Sequence, residues 1–145
     1  MIFKEIYFGT DEYKQAFSLR DELLRMPLGL SLHNGDISQE NRYLHFGLFD
    51  AAGKLEACSV IIPISSTEAE IYHVAVSPSQ QKKGLGKKIM IETEKKLQTL
   101  GFKYLQMDAR LTVVDFYKKL NYVVVGDEYV KLTPTLSHLK MVKNI

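Results

Sequence analysis

The apolar run Ile71-Tyr72-His73-Val74-Ala75-Val76 breaks at Ser77-Pro78. It then passes through Gln81-Lys82-Lys83-Gly84-Leu85-Gly86-Lys87 into a long amphipathic segment. No other stretch restricts the fold as much. Alternation and β-branched residues predict a strand from Glu70 to Val76, and Ser77-Pro78-Ser79 closes it. Leu85, Ile89, Leu97 and Leu100 give the next segment one apolar stripe, which predicts a helix from about Gly84 to Leu100. Glu92 and Lys96 sit outside that stripe as an i,i+4 pair, and Gly101 suits the position after the helix end. Tyr104 to Ala109 reads as another strand. Two strands joined through one helix are expected to be parallel, with a right-handed crossover.

The flanking segments are expected to pair in antiparallel fashion. Ile2 to Phe8 reads as a first strand. Thr10 offers an N-cap, Asp11 and Glu12 sit at the positive end of the helix dipole, and Tyr13, Ala16, Phe17, Leu23 and Leu24 follow at helical spacing. Pro27 is expected to end that helix. Met26 to Glu40 reads as a long loop suited to lining a substrate site. Tyr43–Phe49 and Leu55–Ile64 flank the turn Asp50-Ala51-Ala52-Gly53 as a hairpin. Thr112 is expected to cap a short helix carrying Val113, Phe116, Tyr117 and Leu120. Asn121 then stands where an αL residue ends it. Tyr122–Leu132 and His138–Val142 read as two last strands. The order is β-α-β-β-β-α-β-α-β-β, an α+β (mixed α/β) fold with helices on the faces of a mixed sheet.

The length, 145 residues, fits one domain with one core, spanning residues 1–145. No apolar run approaches the roughly 20 residues of a membrane span, and the N-terminus lacks the apolar segment of a signal peptide. A cytoplasmic protein without a membrane partner is expected. Cys58 is the only cysteine, so no intramolecular disulfide forms. It lies in the apolar run Cys58-Ser59-Val60-Ile61-Ile62 and reads as a buried thiol, not a nucleophile. His33, His45, His73 and His138 lie too far apart in sequence for metal-ligand spacing, so no metal is expected. A net charge of +2 gives no reason to invoke nucleic acid.

Lys82, Lys83, Lys87 and Lys88 nevertheless surround two glycines at a helix start. Glycines let backbone approach a bulky anion, the first helical N–H groups have no intrahelical partner, and the dipole adds positive charge. Such a corner suits pyrophosphate. The loop has no Gly-Lys-Ser/Thr, so it is not a Walker loop, and it lacks the first glycine of a dinucleotide fingerprint. By itself it reads more readily as a solvated turn.

The strand Ile71–Val76 followed by Gln81-x-x-Gly84-x-Gly86 resembles the acetyl-CoA-binding motif of the GNAT superfamily. About thirty residues beyond Gly86, Asp115-Phe116-Tyr117-Lys118-Lys119-Leu120-Asn121-Tyr122 resembles the family's second signature. Leu19–Leu30, Ala109-Arg110 and His138-Leu139-Lys140-Met141 look like the ElaA-type branch, so the resemblance runs over nearly the whole chain. Asn121 departs from the family's usual glycine. Arg110 stands where many relatives carry a cofactor-touching asparagine.

The resemblance implies the GNAT fold: a twisted, mostly antiparallel mixed sheet of about six to seven strands with helices on both faces. It implies an N-acetyltransferase with acetyl-CoA as cosubstrate and an amine as acceptor. The cofactor's arm would lie on Val74, Ala75 and Val76. Its pyrophosphate would lie on Gln81, Lys82, Lys83, Gly84, Leu85, Gly86 and Lys87, with Arg110 and Phe116 nearby. Tyr117 would be the general acid, since a phenol with pKa near about 10 stays protonated at neutral pH. Glu70 is the candidate base; His73 and a water chain are alternatives. A non-catalytic acyl-CoA-binding module and a nucleotide-binding domain are the competing readings. A homodimer is compatible with the exposed sheet edges.

Overall fold

A computed structural model describes all 145 residues. Its order is β1 (Ile2–Ile6), α1 (Asp11–Leu24), β2 (Leu44–Phe49), β3 (Leu55–Pro63), β4 (Glu68–Val76), α2 (Leu85–Thr99), β5 (Tyr104–Arg110), α3 (Val114–Lys119), β6 (Val123–Val130) and β7 (Ser137–Asn144). The seven strands form one sheet in the order β1-β2-β3-β4-β5-β7-β6. Only β4 and β5 run parallel; every other neighbouring pair is antiparallel.

Local chemistry explains most element ends. The Thr10 hydroxyl accepts the Tyr13 N–H at 3.2 Å and starts α1. The helix stops at Leu24, and Pro27 has no N–H with which to continue the α-helical ladder. Residues 26–28 instead form a 3-10 turn closed by Gly29 at φ 73°. The Asp50 carboxylate accepts the N–H groups of Ala52 and Lys54, both at 2.9 Å, and so fixes the β2–β3 turn. Asn121 takes φ 70° after α3. Thr112 does not cap α3: residues 111–113 form a 3-10 turn, and Val113 precedes the helix with no side-chain cap.

The two long helices cover opposite faces. On one, Tyr13, Ala16 and Phe17 of α1 pack against Ile6, Phe49, Leu55, Cys58 and Ala75. On the other, Met90 and Leu97 of α2 pack with Phe46, Ile61, Ile71, Leu105 and Met141, and α3 adds Val114 and Tyr117. Fully burying a side chain such as Leu97 contributes roughly 1.5–3 kcal/mol. Glu94 of α2 accepts from Tyr122 at 2.8 Å and from Lys143 at 2.6 Å, fastening the crossover helix to the C-terminal strands. No helix is long and apolar enough to cross a membrane.

Two irregularities in β4 shape the site. Val60 pairs with His73 but Ile61 pairs with Ile71, so β4 carries an extra residue at Tyr72. A bulge exchanges the faces of the residues beyond it. Ala69 and Ile71 accordingly join the α2-side core, whereas Ala75 joins the α1 side. Past the bulge, β4 also leaves β5: the ladder pairs only Glu68, Ala69 and Glu70 with Tyr104, Leu105 and Gln106.

Candidate active site

A cleft of about 270 Å³ opens where β4 and β5 separate, with walls from Ile71–Val74 and Met107–Arg110. Beyond Glu70, β4 has no strand partner on its β5 side. Backbone polar groups there are available to a guest that supplies its own donors and acceptors. The end of α1, residue Tyr117 of α3, and Lys131, Leu132 and His138 complete the lining. No residue of the segment 26–40, expected to line a substrate site, is among those lining this cleft. Leu32 and Glu40 of that segment are buried.

The glycine loop lies at the β4–α2 junction. Lys82 and Gly84 take φ 64° and 82°, and Gly84 precedes the helix without a side-chain cap. The first helical bond runs from Lys88 N–H to the Gly84 carbonyl at 3.0 Å. The N–H groups of Leu85, Gly86 and Lys87 therefore precede the helical ladder. The Leu85 side chain is buried in the core, so only its backbone can serve a ligand. A Cβ on Gly86 would meet the Phe116 ring at 3.2 Å. The Gln81 amide donates to the Val76 carbonyl at 3.2 Å, linking the loop's start to the end of β4. Lys82, Lys83, Lys87 and Lys88 take part in none of the ion pairs.

Tyr117 lines the cleft with its ring held edge-on between Phe116 and Tyr122. Burial raises its pKa, so the phenol is protonated at neutral pH. Glu70 is not the opening residue of β4. It is the last one paired with β5, which places its half-buried carboxyl at the point of separation. Burial raises the Glu70 pKa; Lys131 opposes the rise and Asp108 adds to it. Asp108 is engaged by Lys131 at 2.5 Å and by the Tyr129 hydroxyl. Arg110 points to α1: it donates to the Leu24 carbonyl at 2.8 Å. None of Gln81–Lys87 lines the same cleft.

Sequence reasoning missed a buried polar network beneath the α1 side. Arg20 donates to both Glu40 oxygens at 2.9 and 2.7 Å, and Tyr13 donates to the same carboxylate at 2.9 Å. The Arg20 Nε–H donates to His73 Nδ1 at 2.9 Å. That bond places the ring proton on Nε2, which faces Arg25 at 3.1 Å. Guanidinium only donates and a neutral imidazole has one lone-pair nitrogen, so His73 satisfies one arginine and not the other. The signal was available in part: Arg20 stands seven residues after Tyr13, on the helix face that the apolar residues occupy.

Burial, then the charges of Arg20 and Arg25, hold the His73 pKa well below its usual value. It is therefore neutral, and its one lone-pair nitrogen is already engaged by Arg20. Cys58 is likewise inert, its thiol pushed up to about 12 by burial. His45 and His138 also have lowered pKa values, in each case first through burial. The unfolded chain protonates these groups below about pH 6.5, and the fold keeps them neutral to lower pH. Stability is therefore present above that pH and lost as pH falls. Each fully titrating group contributes a slope of roughly 1.4 kcal/mol per pH unit. Urea denaturation is expected to show a lower midpoint at pH 5.5 than at pH 7.5; equal midpoints would contradict buried neutral imidazoles.

No cluster of three or more His, Cys, Asp or Glu side chains is arranged to hold a metal ion. A family model described as an acetyltransferase (GNAT) domain matches residues 35–145. Solved structures share the whole architecture. An aminoglycoside 6'-N-acetyltransferase from Enterococcus faecium superposes with a TM-score of 0.79 at 17% identity, over 99% of this chain and 97% of that one. Escherichia coli ElaA gives 0.80 at 16% identity, over 98% of each chain. A GNAT family acetyltransferase from Elizabethkingia anophelis, solved with acetyl-CoA bound, gives 0.74 at 11% identity, over 99% and 97%. At these identities the likeness establishes the fold.

Proposed function

The chain belongs to the GNAT acetyltransferase family, and on that premise we propose that it moves the acetyl group of acetyl-CoA onto a primary amine by direct attack in a ternary complex. The observation that carries this reading is the opening of β4 away from β5, next to uncapped amides at the start of α2. Gly86 fits the carrier: its missing side chain keeps the corner under Phe116 open. Backbone of Val74, Ala75 and Val76 would hold the pantetheine arm. The N–H groups from Lys82 to Lys87 would hold the pyrophosphate, helped by the helix dipole and the lysines. Phe116 would pack beside that corner.

The bound carrier supplies an activated thioester. The protein contributes position and charge. Seating both reactants in one cleft removes much of the entropic barrier. Backbone N–H groups near Val76 would stabilise negative charge developing on the acyl oxygen. As the nitrogen–carbon bond forms and the carbon–sulfur bond breaks, Tyr117 would protonate the departing sulfur. Glu70 would accept the proton lost by the amine, and its raised pKa makes it a stronger base than an exposed glutamate. The cytoplasm suits a chain whose lone thiol is free and buried.

Isothermal titration with acetyl-CoA and with ATP tests the ligand class; binding of ATP alone would refute it. Gly86→Glu is expected to weaken acetyl-CoA at least about tenfold, equivalent to about 1.4 kcal/mol. The new carboxylate would face the carrier's diphosphate. Gly86→Ala, which adds the Cβ without charge, is expected to lose less. Unchanged affinity in folded Gly86→Glu removes the loop from its role.

A further inference from the structure

Three guanidinium groups gather at the α1 end of the cleft. Arg20 is neutralised by Glu40. Arg25 and Arg110 take part in no ion pair. Both donate to one acceptor, the Leu24 carbonyl, at 3.0 Å from Arg25 and 2.8 Å from Arg110. A guanidinium carries five N–H donors, so one shared carbonyl leaves donors of both forks free for a guest in the cleft. His73 offers none to Arg25, because its lone pair is taken by Arg20. Arg25 is more than nine-tenths buried, so solvent screens it little. Two like charges held side by side, both lining one cleft, favour an anionic guest there.

The cleft's own carboxylates do not provide it. Asp108 is held by Lys131 and Tyr129. Glu70 lies opposite Gln106, four residues before Arg110 on β5, a backbone separation of roughly 13 Å at about 3.3 Å per residue, and no ion pair joins it to either arginine. The carrier's diphosphate does not provide it either, since the proposed diphosphate corner shares no residue with the cleft lining.

We infer that the acceptor is an amine that also bears a carboxylate, seated on Arg25 and Arg110 with its amine directed toward Glu70. This rests on the acetyltransferase reading and narrows it to acceptors of the amino-acid class. Planar guanidinium forks match a carboxylate bidentately. A polycationic amine would meet two positive charges at the same wall.

The test measures CoA release from acetyl-CoA with matched pairs: glycine, β-alanine, 4-aminobutyrate and L-phenylalanine, each against its carboxamide. At least one carboxylate is expected to exceed its carboxamide tenfold or more in kcat/KM. That ratio should fall at least tenfold in Arg110→Gln and by less in Arg110→Lys, which keeps the charge and loses the fork. Arg25→Gln should act in the same direction, but Arg110, which is less buried, is the decisive position. The ratio is unaffected by any shared loss of cofactor affinity. Carboxamides equal or better in every pair overturn the proposal. So does a ratio in Arg110→Gln equal to that of the wild type, or no turnover of any carboxylate by protein that binds acetyl-CoA. Calorimetry separates the two readings: absence of acetyl-CoA binding defeats the transferase itself, whereas carboxamide preference with intact binding defeats only the anion seat.

Discussion

Tyr117→Phe is expected to lower kcat by about 10²–10⁴-fold and to leave acetyl-CoA affinity nearly unchanged. The substitution removes one oxygen and keeps the ring. Its edge-on contacts with Phe116 and Tyr122, at 5.0 and 5.7 Å between centroids, persist in phenylalanine. Folding and the shape of the cleft are therefore retained, and the change isolates the proton. Because burial lifts the phenol's pKa, it stays protonated throughout the neutral range and would be available there as an acid. Turnover measured by CoA release, alongside titration of acetyl-CoA, checks both parts. Wild-type kcat in Tyr117→Phe would reduce this residue to a packing role.

Glu40→Ala is expected to destabilise the fold by about 3–5 kcal/mol, against a typical total of about 5–15 kcal/mol. Arg20 and Glu40 are almost wholly inaccessible, at 0% and 1% exposure. Without the carboxylate, a guanidinium remains in the interior with no counter-charge, and Tyr13 loses its acceptor. Removing both partners together, as in Arg20→Met with Glu40→Leu, should recover much of the loss, since neither charge is then stranded. Burial alone would raise the Glu40 pKa, but hydrogen bonds and charge from Arg20 outweigh it, and the net shift is downward. A lowered carboxyl pKa stabilises the fold above the unfolded value and ceases to do so as pH falls through the folded one. The cost of Glu40→Ala should therefore be smaller at pH 3 than at pH 7. Chemical denaturation at both values decides this; an equal cost at both would mean that the pair contributes no charge-dependent stability.

What the sequence disclosed was local or carried by a parallel crossover. Thr10 and Asp11 announced α1, Asn121 announced the end of α3, and the apolar stripe of α2 between two strands required β4 and β5 to be parallel. The glycine loop fell at the helix start because its pattern is contiguous. The insertion of β7 between β5 and β6 was not legible. Hairpin pairing of β6 with β7 leaves open which of them joins the rest of the sheet. The Arg20–Glu40 bond spans a loop with no periodicity to position Glu40. Thr112 misled because hydroxyl residues favour caps in general, whereas here a 3-10 turn carries the chain into α3.

The sheet is in effect two leaves, β1 to β4 and β5 with β7 and β6, stitched together by three residue pairs. Beyond that seam, cohesion falls to α2 and the apolar core. A guest threaded into the gap would act as the absent mortar between the leaves, so the resting and loaded protein should differ in stiffness as well as in occupancy.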